Sequence, residues 1–267
     1  MAKIRIDQLV ADQFHISVTE AAALIMANQV LVEDTPVTQP GTQVKPDVSV
    51  RIREKKRKYA SRSGEKLEGA LKKFKVSPKD FTVCDIGASN GGFTDCLLHH
   101  GATHVFAVDV AYGILEYRLR QDKRVTVLDN TNAKLLTPQM LGCICDMVTV
   151  DVSFISLKQI FPVVDTILSK KGPCITLIKP QFEAPKEALG KNGIVKDLEV
   201  LPCVFQDLIA SANQHHLYLQ GLMVSPIYGN NGAMEYLALW GRQETLSDKD
   251  IKQLTEDSIH WKPKDKS

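Results

Sequence analysis

The chain has 267 residues, 44% of them hydrophobic and 24% charged, with a formal net charge of +2. That is long enough for one large domain plus a small one, and the balance is ordinary for a soluble globular protein. The opening stretch MAKIRIDQLVADQF has no apolar h-region, and no run nears the ~20 apolar residues of a bilayer span, so neither a secretory leader nor a membrane segment is expected.

Residues 1–54 read as a compact α/β module. A first helix carries Ile6, Leu9 and Val10. Ser17 followed by Glu20 forms a capping box that opens the helix TEAAALIMAN. The strand QVLVED, a turn through TPVTQPGTQV and a final strand VSVRIR complete it. From Arg51 to Lys58 the chain then reads RIREKKRK, six basic residues against one acid. Residues 55–62 are expected to be a basic linker, placed where a phosphate backbone crossing two domains could meet it. After Ser63, Leu67, Ala70, Leu71 and Phe74 mark a helix by their i, i+3, i+4, i+7 spacing.

From Phe81 strands alternate with helices. FTVCDI, HVFAVDV, RVTVLD, CDMVTVD and GPCITLIK are continuous apolar runs of the buried, parallel kind. Helices are expected around 92–100, 113–121, 157–169 and 197–214. LYLQGLMVS and AMEYLALW look like a closing antiparallel pair. Five parallel strands plus this hairpin predict a doubly wound, Rossmann-like α/β sheet over 63–241. The tail 242–267 carries one amphipathic helix, capped at Ser247. The six cysteines (Cys84, Cys96, Cys143, Cys145, Cys174 and Cys203) form no CxxC pair and are expected as free thiols in a reducing cytoplasm, with no disulfide or metal site.

The first parallel strand runs into Asp85-Ile-Gly87-Ala88-Ser89-Asn-Gly91-Gly92-Phe93. Glycines between a strand and a helix let the backbone approach a ligand. This is not the GxGxxG dinucleotide fingerprint, because two glycines are adjacent and an acid precedes the first. An acid there suits a sulfonium cofactor with a free amino group better than a pyrophosphate, which favours S-adenosylmethionine. Asp109 ends the second strand, 24 residues after Asp85 (109 − 85), where a carboxylate grips ribose hydroxyls. Asp129, after the third strand, is placed to face the adenine or its water.

Asp151 closes the fourth strand and Lys179 the fifth, on the edge where open α/β sheets bind ligands. Glu235 opens the last, antiparallel strand and so falls on the same edge, while Lys66 enters from the helix before the sheet. Amines and carboxylates brought together shift each other's pKa, and desolvation at the end of ITLI would bring Lys179 towards use as a base. Amino-methylation of bases calls for an Asp/Asn-Pro-Pro-aromatic segment, whereas the chain reads DVSF. Pyrimidine carbon methylation needs a cysteine near the cleft, but Cys174 starts its strand and Cys203 sits within a helix. Oxygen methylation needs a base for a hydroxyl, which a lysine flanked by acids supplies.

The blocks SRSGEKLEGAL, DIGASNGGFTDCLL, VFAVDVAYGIL, DVSFISL, LIKPQFEAPKEALGKNGIVKD and GNNGAMEYL resemble the TlyA (haemolysin A) family of ribosomal RNA methyltransferases, from the first residues to about Trp240. The resemblance implies an FtsJ-like domain whose Lys-Asp-Lys-Glu tetrad is Lys66, Asp151, Lys179 and Glu235. It implies S-adenosylmethionine-dependent 2′-O-methylation of cytidine ribose in large-subunit, and in some members small-subunit, ribosomal RNA. In that reading Lys179 takes the hydroxyl proton, Asp151 and Glu235 set it, Lys66 orients the nucleotide or balances the acids, and no metal is needed. The N-terminal module resembles an RNA-binding domain of ribosomal-protein type, matched at Arg5, Asp7, TEAAALIMAN and QVLV.

The match has departures. Val18 and Thr19 stand where an arginine is expected beside Ser17, and Ala233 stands where the family usually has Asn. Residues 1–53 hold five basic against six acidic side chains. Phosphate contacts are therefore expected mainly from Arg51, Arg53, Lys55, Lys56, Arg57 and Lys58, the lysines of 72–79 and Arg62, with a few shape-directed contacts such as Arg5 from the module. Two alternatives are a non-catalytic RNA-binding assembly factor and a membrane-active haemolysin.

Overall fold

The structure is a computed structural model that describes residues 3–26, 28–52, 58–190, 193–195 and 197–260. The chain forms two compact units, Met1–Arg57 and Lys58–Ser267.

In the smaller unit β1 (Ile4–Arg5) leads into α1 (Ile6–Phe14) and α2 (Val18–Met26), followed by β2 (Val30–Val32), β3 (Thr35–Val37), β4 (Gln43–Val44) and β5 (Val50–Ile52). The capping box forms, with Ser17 Oγ accepting the Glu20 N–H at 3.1 Å. Strands β3-β2-β5 make one antiparallel sheet, and β1 pairs with β4. The two-residue β2–β3 connection places Glu33 and Asp34 at φ 50° and 63°, the type I′ geometry whose twist suits a tight hairpin. Ile6, Val10, Ala21, Ile25 and Val30 fill the core.

The larger unit runs α3 (Ser63–Phe74), β6 (Thr82–Ile86), α4 (Gly92–His99), β7 (His104–Val108), α5 (Tyr117–Arg120), β8 (Val125–Leu128), α6 (Pro138–Leu141) and β9 (Met147–Val150). It continues with α7 (Phe161–Ile167), β10 (Cys174–Ile178), α8 (Pro180–Glu183), α9 (Leu201–Asn213), β11 (Tyr218–Val224), β12 (Tyr236–Gly241) and α10 (Asp248–His260). The sheet order is β11-β12-β10-β9-β6-β7-β8, with β12 antiparallel to both neighbours and the rest parallel. This is the doubly wound sheet that the alternation of elements predicts.

Successive strand residues feed opposite cores, as the two-residue period of a strand requires. Cys84, Ile86, Val148 and Val150 join the cluster of Phe161, Leu208 and Trp240. Val83, Met147, Ile175 and Leu237 join that of Leu67, Ala70 and Leu97. Ile251 and Leu254 of α10 pack on the first cluster, and Ser247 caps the helix by accepting the Asp250 N–H at 3.3 Å.

Three local readings change. The helix expected over 113–121 contracts to α5, because 110–116 lies open with Gly113 at φ 73°. That expected over 157–169 splits into a 3-10 turn at 157–159 and α7, where Pro162 fits only the first helical turn. Residues 59–62, expected in the linker, fold onto the larger unit. Tyr59 is buried edge-on against His99, and the Ala60 N–H donates to Asp95 Oδ2 at 2.8 Å. Arg53, Lys55, Lys56 and Arg57 lie outside the described residues.

Candidate active site

Strand ends deliver three of the four tetrad positions to one edge. Asp151 follows β9, and its N–H donates to the Ile86 carbonyl at 2.9 Å. Lys179 follows β10, and Glu235 precedes β12. The β10–β12 register pairs Ile178 with Tyr236, so one more step of the antiparallel ladder sets Lys179 across from Glu235. Lys66 comes from the start of α3, whose Leu67, Ala70 and Leu71 are buried beside it.

The four side chains form two lysine–carboxylate pairs. Lys66 Nζ donates to Glu235 Oε2, with the side chains only 10% and 4% exposed. A Cβ at Gly229 would run into that Glu235 carboxylate. Lys179 Nζ lies 2.6 Å from Asp151 Oδ1 and also donates to Ser153 Oγ at 2.8 Å. Burial of either pair is tolerable only because each charge meets its opposite.

Beside the second pair opens a crevice of about 440 Å³, within the size range of small-molecule sites. Gly87, Ser89, Asp109 and Asp151 line it with exposed apolar Val110, Ile114 and Phe154. Asp109 is preset: Oδ2 accepts the Ser89 N–H and Oδ1 the Ala111 N–H, both at 2.8 Å. Ala88 is buried beneath the turn. Gly87 sits at φ 82°, and a side chain there would strike the Asp151 carbonyl, so this glycine is what lets the β6 and β9 strand ends meet.

Several positions read as ligand contacts have protein partners as well. A Cβ at Gly91 would meet Leu119, and one at Gly92 the hydroxyls of Ser61 and Ser63. Phe93 is core. Asp85 is fully buried, and its oxygens accept Thr94 Oγ1 at 2.7 Å and Thr149 Oγ1 at 2.8 Å. Burial pushes its carboxyl up to about 7, against the lowering effect of those hydroxyls. Asp129 is held by Arg120 at 2.8 Å and by the Gly113 N–H at 3.1 Å.

Sequence reasoning missed the segment after Asp151. Phe154 is 92% exposed at φ 63°, lines the crevice, and meets Phe182 with ring centroids 5.1 Å apart. The only sequence signal is an aromatic three residues past a strand-end acid. Of the expected phosphate contacts, Arg5 is paired with Asp7 at 2.6 Å, Arg51 with Asp34 and Lys58 with Glu68. Arg62 is exposed.

Residues 59–242 match the FtsJ-like methyltransferase family and residues 4–50 the S4 domain. Fold and match together define an S-adenosylmethionine-dependent methyltransferase of the FtsJ-like class. The chain is 41% identical over 237 residues to YqxC of Bacillus subtilis, a candidate rRNA methyltransferase, covering 88% of this chain and 84% of the relative. It is 38% identical over 242 residues to the 16S/23S rRNA (cytidine-2'-O)-methyltransferase TlyA of Mycobacterium tuberculosis, 90% of each chain. A solved hemolysin candidate from Streptococcus thermophilus shares 35% identity and a TM-score of 0.73, covering 97% of this chain and 96% of that one. The chain belongs to the TlyA (haemolysin A) family.

Proposed function

We propose that this chain methylates the 2′-hydroxyl of a cytidine ribose in ribosomal RNA, using S-adenosylmethionine bound in the crevice beside Asp109. The observation that carries the reading is the contact of Lys179 with Asp151 and Ser153, two residues that line the crevice, which pairs a base with its orienting acid beside the cofactor site.

The residues present fit the cofactor. Asp109 uses one lone pair per oxygen on backbone N–H groups and keeps others for ribose hydroxyls. Val110 and Ile114 offer apolar walls to an adenine. Asp85, with both oxygens on threonine hydroxyls, supports the turn from beneath. When bound, the cofactor supplies a sulfonium-activated methyl group. Lys179 takes the 2′-hydroxyl proton, Asp151 and Ser153 hold its amine in place, and Lys66 with Glu235 braces the edge on the α3 side. Phe154 offers an open aromatic face on which the target base stacks. A non-glycine residue at positive φ stores backbone strain of the kind found at functional sites.

The division of labour follows the two units: 1–54 as the RNA-binding module and the unit that begins at Lys58 as the methyltransferase. Because Arg5 and Arg51 are already paired, the module contributes shape-directed contacts more than charge. Among the described residues no single helix is long and apolar enough to cross a membrane.

Mapping ribose methylation in ribosomal RNA from strains with and without the protein tests the reading. One or more cytidine 2′-O-methyl marks should disappear with it. A substrate with a 2′-deoxy target should be inert, and methylation of that substrate would move the chemistry to the base.

A further inference from the structure

Glu183 lies four residues after Lys179 and directly after Phe182, at the end of α8. Its carboxylate reaches across to the segment that follows Asp151. Oε2 accepts the Ser156 hydroxyl at 2.6 Å, and Oε1 accepts the Leu157 N–H at 2.8 Å. Ser156 Oγ in turn accepts the Lys158 N–H at 3.2 Å, capping the 3-10 turn at 157–159. Burial pushes the Glu183 carboxyl above its ordinary range, opposed by these two donors and by Lys158. Lys158 itself pairs with Asp207 of α9 at 3.2 Å, so Glu183 faces that cation without having it to itself.

The two segments tied in this way carry the chemistry. One brings Lys179 and Phe182; the other brings Asp151, Ser153 and Phe154. Phe154 touches Phe182, and Lys179 touches Asp151 and Ser153, so these side-chain contacts of the proposed base and shelf cross between them. Where they meet, one segment is the single turn of α8 and the other runs from irregular backbone into the 3-10 turn at 157–159, and the strained backbone at Phe154 has to be held from outside.

We propose that Glu183 is a positioning residue for methyl transfer: it ties the segment after Lys179 to the segment after Asp151, and so fixes the Lys179–Ser153 contact and the Phe154–Phe182 shelf. The proposal rests on the 2′-O-transfer reading above. Glu183 acts through these residues and touches no reacting atom.

Steady-state kinetics on ribosomal RNA from cells lacking the protein, well below the unfolding temperature, test it. Glu183→Ala should lower kcat on the order of 10- to 100-fold, the scale of a small misplacement at a reacting centre. Glu183→Gln can still accept the Leu157 N–H and donate to Ser156 Oγ, and should keep kcat within about threefold. If the tie works by holding the shelf, Glu183→Ala combined with Phe154→Ala should be little slower than the slower single variant. A kcat for Glu183→Ala within about twofold of the parent, a Gln variant as impaired as the Ala variant, or effects that multiply in the double variant would each overturn the proposal. If Glu183→Ala fails to fold, Ser156→Ala cuts one of the two bonds and is put through the same cycle, where a kcat within about twofold of the parent or multiplying effects again overturn the proposal. Normal transfer by Lys179→Ala would sink the base assignment and leave this cycle readable; multiplying effects beside an inert Lys179→Ala would sink only the tie.

Discussion

Two lysine–carboxylate pairs sit on one edge of one sheet, and their surroundings differ. Lys66 and Glu235 are enclosed between α3 and the start of β12, each with the other as its charged partner. Asp151 lines an open crevice together with Ser153 and the exposed Phe154, and Lys179 contacts both Asp151 and Ser153. The same two residue types thus serve different ends. The enclosed pair joins α3 to the start of β12, and the second pair is the one proposed above to meet the RNA hydroxyl.

The comparison breaks most directly at Lys179. Lys179→Ala should cut methyl transfer by ~10²–10⁴, the usual contribution of a general base, while calorimetry finds S-adenosylmethionine affinity kept. Near-normal transfer would mean that the second pair is no different from the enclosed one. Lys66→Ala attacks the other pair. It strands a buried carboxylate and should destabilise the fold by about 3–5 kcal/mol in denaturant unfolding. Replacing both partners, as Lys66→Met with Glu235→Gln, should recover much of that stability without recovering full activity. A Lys66→Ala protein as stable as its parent would remove the bracing role.

Asp85 is a further carboxylate near this edge, buried like Glu235 but with hydroxyls in place of a lysine. Its folded value of about 7 lies above the ~4 of an unfolded aspartate, so the folded state holds the proton more tightly. The group's contribution is complete below about pH 4 and is lost as pH rises towards about 7. Asp85→Asn should therefore gain on the parent by about 2 kcal/mol between pH 5 and 8 in parallel unfolding curves. A pH-independent difference would place a cation near Asp85 after all. The smallest effect is expected at the shelf. Phe154→Ala should cost about 1–3 kcal/mol, the range for loss of one stacked base, read as a fall in kcat/KM in which kcat itself drops severalfold and KM rises.

Much of this site was legible because a strand end is a position that sequence fixes. Asp109, Asp151 and Lys179 each follow an apolar run directly, and the doubly wound topology sends such residues to one edge. Glu235 followed once its strand was read as antiparallel. Lys66 was harder, since a helix stripe gives a face but no height on the sheet, and its pairing with Glu235 depends on how far α3 slides along β12. The glycine-rich turn was legible only in part. Gly91 and Gly92 signal a close approach, but the sequence does not say that Leu119, Ser61 and Ser63 are what approach. Asp85 carried no sign that Thr94 and Thr149 would cover it. Phe154 escaped because exposure and a positive φ are properties of a loop, which pattern reasoning leaves blank.

The Lys66–Glu235 pair joins residues 169 positions apart. A chain emerging at the usual pace of synthesis would hold that lysine without its partner for roughly 10–30 s. β6, an interior strand of the sheet, likewise waits for β9 before its second edge is filled. The edge that carries the proposed site is therefore assembled last, and no nascent fragment ending before Glu235 holds all four residues.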